Sequence, residues 1–144
     1  DMMYDAGVKI VRMAEFAWCR LEPEEKKFDF EWLDRAVQLF GERDMYVILC
    51  TPTNTPPQWL FEKYPEIVQV DKTGKKIQTG IRGHRCLNSP VYRELSKKII
   101  VKMAERYKDN KRLSYDDLHT AAFCIDFIIL LPAIAAPTAK ILLS

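Results

Sequence analysis

No two of the four cysteines, Cys19, Cys50, Cys86 and Cys124, stand in a C-x-x-C spacing. That absence excludes a local metal or redox motif. It also suits a reducing cytoplasm better than a disulfide-stapled secreted fold. Cys19 and Cys50 lie in or beside apolar runs, where buried free thiols are expected. An excess of one charge sign is missing too. The net charge is +2 and the basic residues are interleaved with Glu and Asp, so no basic stripe for nucleic acid exists. Long apolar runs are short of membrane length. Phe127 to Ala139 carries no charge over 13 residues but is broken by Pro132 and Pro137. A spanning helix needs about 20 apolar residues, so a membrane anchor is disfavoured. No glycine-rich phosphate fingerprint follows either strand-like run. No signal peptide is expected in the opening, because Asp1 leads directly into an amphipathic segment. The chain opens as if inside a helix, so its true start is expected upstream.

What is present is ordinary for a soluble domain. The 144 residues are 48% apolar and 29% charged, enough for one modest core. Asp1 to Ala6 reads as the end of a helix, with Gly7 as its left-handed stop. Val8 to Met13 alternates like a strand. Ala14 to Lys27 reads as a loop. Asp29 can cap a helix over Phe30 to Arg43, whose Leu33, Ala36, Val37 and Phe40 share one face. Asp44 can stand where Gly often ends a helix. Tyr46 to Cys50 is a near-continuous apolar run, as in strands buried on both faces of a parallel sheet. Pro57 to Tyr64 predicts a short helix ended by Pro65, and Ile67 to Gln78 a small hairpin turning at Thr73-Gly74. Ser89 and Pro90 start a long helix with Tyr92, Leu95, Ile99, Met103 and Tyr107 down one face. Strands alternating with amphipathic helices imply βαβ units and a parallel sheet. Two to three units fill residues 1 to about 110, less than half of a (β/α)₈ barrel of about 250 residues. An open doubly wound sheet gives the same alternation.

Three motifs narrow the choice. The first is Val11-Arg12-Met13-Ala14-Glu15-Phe16-Ala17-Trp18-Cys19-Arg20-Leu21-Glu22-Pro23, continued by Phe28-Asp29-Phe30-Glu31-Trp32-Leu33-Asp34. The second is Thr51-Pro52-Thr53 with Pro56-Pro57-Gln58-Trp59-Leu60. The third runs from Arg82-Gly83-His84-Arg85-Cys86-Leu87-Asn88-Ser89-Pro90 to Val91-Tyr92-Arg93. In order and spacing they resemble the family 42 glycoside hydrolases. The resemblance implies a (β/α)₈ TIM barrel that hydrolyses terminal β-galactosides with retention. It implies two catalytic Glu residues: an acid/base in an Asn-Glu pair after the fourth strand, and a nucleophile much later. Such enzymes need two carboxyls about 5–5.5 Å apart, and barrels place them on different strand ends.

After about Asn110 the chain departs from that pattern. Leu113 to Ala121 stands where the Asn-Glu strand is expected, and no Glu follows Glu105. Residues 1–110 therefore read as a barrel fragment without catalytic residues, and 111–144 as an unrelated apolar tail. A reading-frame shift or gene truncation near Lys111 would account for the change. Asp116 and Asp117 are strand neighbours pointing to opposite faces, a poor catalytic pair.

Arg82 matches the position that binds galactose in the family, and its planar donors suit fixed hydroxyls. Glu15 can face the barrel mouth or support the fold from within. Trp18 and Trp59 can stack on a sugar ring, though core packing is the commoner role of Trp. Glu22, Glu24 and Glu25 read as a solvated charge run. His84 reads as holding its loop, and His119 is assigned nothing. Cys86 matches one thiolate of a zinc site in some members, and alone it cannot hold a structural zinc, which needs four ligands. The expected partner is a β-galactoside sugar, with no cofactor for the chain itself. A structural zinc and a homo-oligomer belong to the full-length enzyme of the resemblance.

Overall fold

The structure, a computed structural model, describes residues 2–77, 80 and 83–110. The expected tail at 111–144 lies outside the described residues. Helix α1 (Met2–Asp5) runs into Gly7, whose φ of +79° is the left-handed stop read from the sequence. Strand β1 (Ile10–Met13) follows, then a one-turn helix α2 (Trp18–Leu21) within the expected loop. Helix α3 (Glu31–Gly41) crosses back, and Asp44 at φ +55° turns the chain into strand β2 (Tyr46–Leu49). Asp29 caps α3 from one residue outside, its carboxyl accepting from the Glu31 amide at 2.9 Å.

The two strands are parallel, with Ile10 opposite Tyr46 and Met13 opposite Leu49. A parallel pair needs a crossover, and α3 supplies it. Helix α4 (Gln58–Lys63) follows Pro57 as expected, and Pro65 opens a 3₁₀ turn (Pro65–Ile67). Val70 then pairs antiparallel with Lys76 around Gly74, and Val68 with Arg85. Helix α5 (Pro90–Tyr107) starts where Ser89 Oγ accepts from the Tyr92 amide at 3.3 Å.

Val11 and Val47 face the helices and are buried with Leu33, Leu60, Ile67 and Ile99. Removing each such side chain from water contributes about 1.5–3 kcal/mol. Along α5 the buried face is Tyr92, Leu95, Ile99, Met103 and Tyr107, as the periodicity predicts. The far ends of α3 and α5 are tied by charge. Arg106 Nε and the Tyr107 hydroxyl each donate to Asp34 Oδ1 at 2.8 Å, and the second guanidinium nitrogen bonds Oδ2.

Two expectations are corrected. β2 is not buried on both faces: Ile10 and Tyr46 are 49% and 44% exposed on the side away from the helices. Among the described residues the sheet consists of β1 and β2. Cys19 is exposed rather than buried, because α2 turns it outward while placing Trp18 and Leu21 inside. No helix of the described residues is long and apolar enough to cross a membrane.

Candidate functional site

Both strands of a parallel pair end on the same side, and barrel enzymes bind substrate there. Beyond β1 the chain turns at once. Ala14 takes φ +73° and its carbonyl accepts from the Ala17 amide at 3.0 Å. A left-handed backbone costs an L-residue roughly 1–2 kcal/mol, so this turn is held by its surroundings. It presents Glu15 and Phe16 at the end of the sheet. Arg12, on the solvent face of β1, reaches forward to Glu15 at 3.0 Å. Its Nε donates to the Cys50 sulfur at 2.8 Å, linking the ends of both strands. Arg12, Glu15, Phe16, Arg20 and Trp32 line an open cleft of about 370 Å³.

The other motif residues interlock. Trp18 is fully buried, its ring centroid 6.3 Å from that of Tyr92. Trp18 Nε1 donates to the Glu22 carboxyl at 2.8 Å, and the Lys26 amide donates to the other oxygen at 2.9 Å. Half-buried Trp59 donates from Nε1 to the Glu22 carbonyl at 2.9 Å. The Tyr92 hydroxyl donates to the Thr53 carbonyl at 2.8 Å and accepts from Arg85 Nε at 3.3 Å. All three motifs thus meet around one core.

The expected site residues fall apart accordingly. Glu15 is at the cleft. Trp18 has no exposed face for a sugar, since α2 packs it inside; for this residue core packing replaces the stacking expectation. Trp59 sits 37 positions from Glu22 in sequence and beside it in space. Arg82 lies outside the described residues, between the left-handed Gly80 and Gly83. His84 is buried, its ring 4.5 Å from that of Phe61, and its carbonyl accepts from the Gln69 amide at 3.1 Å. That fits a loop-holding role. The charge run is corrected in part. Glu24 is exposed beside Lys27, but Glu22 is only 4% exposed. Glu25 bonds Lys63 and accepts from the Tyr64 hydroxyl at 3.0 Å. The hydrogen bond from Lys63 holds its carboxyl below the usual range.

Cys86 is half-buried, its amide donating to the Ile67 carbonyl at 2.6 Å. Among the described residues no three His, Cys, Asp or Glu side chains gather to hold a metal. One thiol does not fit a four-ligand zinc site. Arg12 gains from its contacts to Glu15 and Cys50 a part that its motif alone does not show. The signal that could have found it is a charge-paired Arg and Glu spaced i, i+3 across a strand end.

The sequence matches the glycoside hydrolase 42 family, described as beta-galactosidase, over residues 1–119. The chain belongs to glycoside hydrolase family 42. It is 53% identical over 111 residues to the beta-galactosidase BgaA of Clostridium cellulovorans, covering 77% of this chain and 17% of that protein. Among solved structures, the beta-galactosidase of the Antarctic haloarchaeon Halorubrum lacusprofundi superposes with TM-score 0.74 at 50% identity, over 77% of this chain and 17% of that one. The beta-galactosidase of Bacillus circulans sp. alkalophilus gives TM-score 0.75 at 36% identity, over 78% and 17%. The chain thus spans about a sixth of the length of the family-42 proteins it matches. These neighbours are TIM-barrel enzymes, and their likeness covers the part of this chain that holds the β1–α3–β2 unit.

Proposed function

We propose that this chain supplies substrate-binding parts of a retaining family-42 β-galactosidase barrel, acting in the cytoplasm on terminal β-D-galactosides, and carries neither catalytic carboxyl. The observation that carries the reading is the pairing of Arg12 with Glu15 at the open end of a parallel β–α–β unit, inside a family-42 motif. A galactose ring needs fixed donors and acceptors for its hydroxyls. Arg82 supplies planar donors from the third motif. Glu15, held by Arg12, supplies acceptors from the first. Trp59, anchored through its Nε1, offers an aromatic surface. Retaining cleavage requires one proton donor and one nucleophile about 5–5.5 Å apart. The resemblance puts the acid/base in an Asn-Glu pair after the fourth strand, and no Glu follows Glu105 in the sequence, so this reading assigns neither catalytic carboxyl to the chain.

The expected result is no release of nitrophenol from o-nitrophenyl β-D-galactopyranoside by the purified chain. Turnover that an Arg82→Ala change abolishes would overturn the inactive reading. A second reading is favoured by the cleft itself: a non-catalytic sugar-binding module. Saturable binding of galactose without turnover selects it. A remnant without function binds nothing, and its open sheet face and strand edges make it associate.

A further inference from the structure

We propose that Cys50 is a positioning residue for the Arg12–Glu15 pair: its sulfur fixes the Arg12 guanidinium, and through it the Glu15 carboxyl. The proposal rests on the reading of Glu15 as a sugar contact and names what holds that contact ready. Arg12 lies opposite Ile48 in the parallel pair. Cys50 stands two residues further along, on the same face by the alternation of a strand. Its amide donates to the Met13 carbonyl at 2.9 Å, which carries the ladder one step beyond β2. The residue is buried, at 5% exposure. Backbone and packing therefore fix the sulfur before any long side chain reaches it.

Arg12 and Glu15 lack that support. Their side chains are 47% and 23% exposed. So open an ion pair gains little, because two flexible side chains must be held in one geometry. The bond from Arg12 Nε to the Cys50 sulfur, at 2.8 Å, takes much of that freedom from one partner. Nε is the guanidinium nitrogen nearest the stem, so a bond there sets the plane of the whole rigid fork. The terminal nitrogen that meets Glu15 at 3.0 Å is thereby carried to its place. Sulfur also suits the task chemically. It is a weak acceptor, so it orients the cation without competing with the Glu15 carboxylate for its charge. A carboxylate at position 50 would draw the guanidinium away from Glu15.

The test uses variants of the whole chain. Cys50→Val keeps an apolar side chain of similar size but offers no acceptor, whereas Cys50→Ser keeps one. Cys50→Ala removes the acceptor with a smaller side chain, should the branched one not fold. Arg12→Lys lacks the Nε–H and so identifies its NMR signal. Hydrogen exchange at the Arg12 Nε–H should be slowed in the parent chain. It should speed up about tenfold in Cys50→Val and Cys50→Ala, the size of one lost hydrogen bond. In Cys50→Ser it should stay within about threefold of the parent. Affinity for methyl β-D-galactopyranoside should fall roughly two- to tenfold in the variants without an acceptor, the cost of ordering one long side chain. Cys50→Ser should bind within about twofold of the parent. A role in packing alone predicts the opposite order, with Cys50→Val near the parent and Cys50→Ser worse. That order, or an exchange rate unmoved by loss of the acceptor, would overturn the proposal. If the parent chain binds no galactoside, the sugar reading falls by itself. The exchange series then judges Cys50 alone: rates that follow the acceptor support its positioning role, and equal rates overturn it.

Discussion

Glu15 and Glu22 belong to one motif and to one turn of chain beyond β1, yet they meet opposite surroundings. Glu15 stands at an open cleft, its carboxyl paired with Arg12 and 23% exposed. Glu22 is 4% exposed, and a Trp side chain and a backbone amide use both of its carboxyl oxygens. The first carboxyl can still be reached from outside. The second is consumed by the scaffold. A family motif is therefore a mixture: one of its carboxyls stays reachable from outside, and another is consumed by the scaffold. Motif membership alone does not sort them.

The sharpest way to break this comparison is to delete the Glu22 acceptor. Glu22→Leu leaves Trp18 Nε1 and the Lys26 amide without partners. Trp18 Nε1 is buried, and an orphaned buried donor costs about 1–3 kcal/mol, whereas the amide of exposed Lys26 can turn to water. A loss of about 1–3 kcal/mol is therefore expected. Urea unfolding of the chain, followed by Trp fluorescence, measures it. A loss under about 0.5 kcal/mol, the surface norm, would mean that Glu22 is no more structural than Glu15.

Next comes Asp34, a carboxylate in the same motif that joins α3 to α5. The hydrogen bond from Arg106 holds it below the usual range, with the Tyr107 hydroxyl adding to the effect. Burial, then the Asp34 contact, pushes the Tyr107 hydroxyl up. A carboxyl whose folded pKa is lowered stabilises the fold above its unfolded value, about 3.9. That stability drains away as pH falls from about 4 through the folded value. Asp34→Asn should cost about 1 kcal/mol at pH 7, allowing for partial exposure. It should also flatten the decline of stability below pH ~4. An unchanged acid limb in the variant would show that other carboxyls carry it.

What the sequence made legible was local. Gly7, Asp44 and Ser89 announce their roles because left-handed stops and helix caps act within a few residues. The buried stripe of α5 is legible because 3.6-residue spacing repeats over 18 residues. The parallel pairing follows from strands alternating with helices. What stayed hidden depends on distant partners. Helix α2 is one turn, too short for periodicity, so the inward turn of Trp18 and the outward turn of Cys19 could not be read. Glu22 looked like part of a solvated run because its neighbour Trp59 lies 37 positions away. The family motifs did reveal the barrel, through resemblance rather than spacing. They did not say that Arg12, Phe16 and Trp32 share a cleft.

Ala14 tests whether the turn that presents Glu15 stores strain. Ala→Gly in ordinary structure costs about 0.5–1 kcal/mol from chain entropy, and a buried methyl adds about 0.8 kcal/mol. Here relief of the left-handed backbone returns roughly 1–2 kcal/mol. The terms nearly cancel, so Ala14→Gly should shift stability by less than about 0.5 kcal/mol. Thermal unfolding of the two chains decides it, and a loss above about 1.5 kcal/mol would show the turn to be unstrained.

The smallest expected change in stability is at Glu15, and it completes the comparison. Its ion pair with Arg12 is partly solvated, and such pairs contribute about 0–1 kcal/mol. Glu15→Gln keeps the shape and one acceptor oxygen, so unfolding should move by no more than about 0.5 kcal/mol. Sugar binding should respond far more. A charged acceptor forms hydrogen bonds roughly twice as strong as a neutral one, so affinity for methyl β-D-galactopyranoside should fall about tenfold. The same pair of measurements on Glu22→Gln should give the reverse order, with stability falling and any binding loss tracking the unfolded fraction. If Glu15→Gln instead destabilises the chain and leaves binding intact, Glu15 belongs with Glu22 in the scaffold. The cleft beyond β1 would then be left to Arg12, Phe16, Arg20 and Trp32.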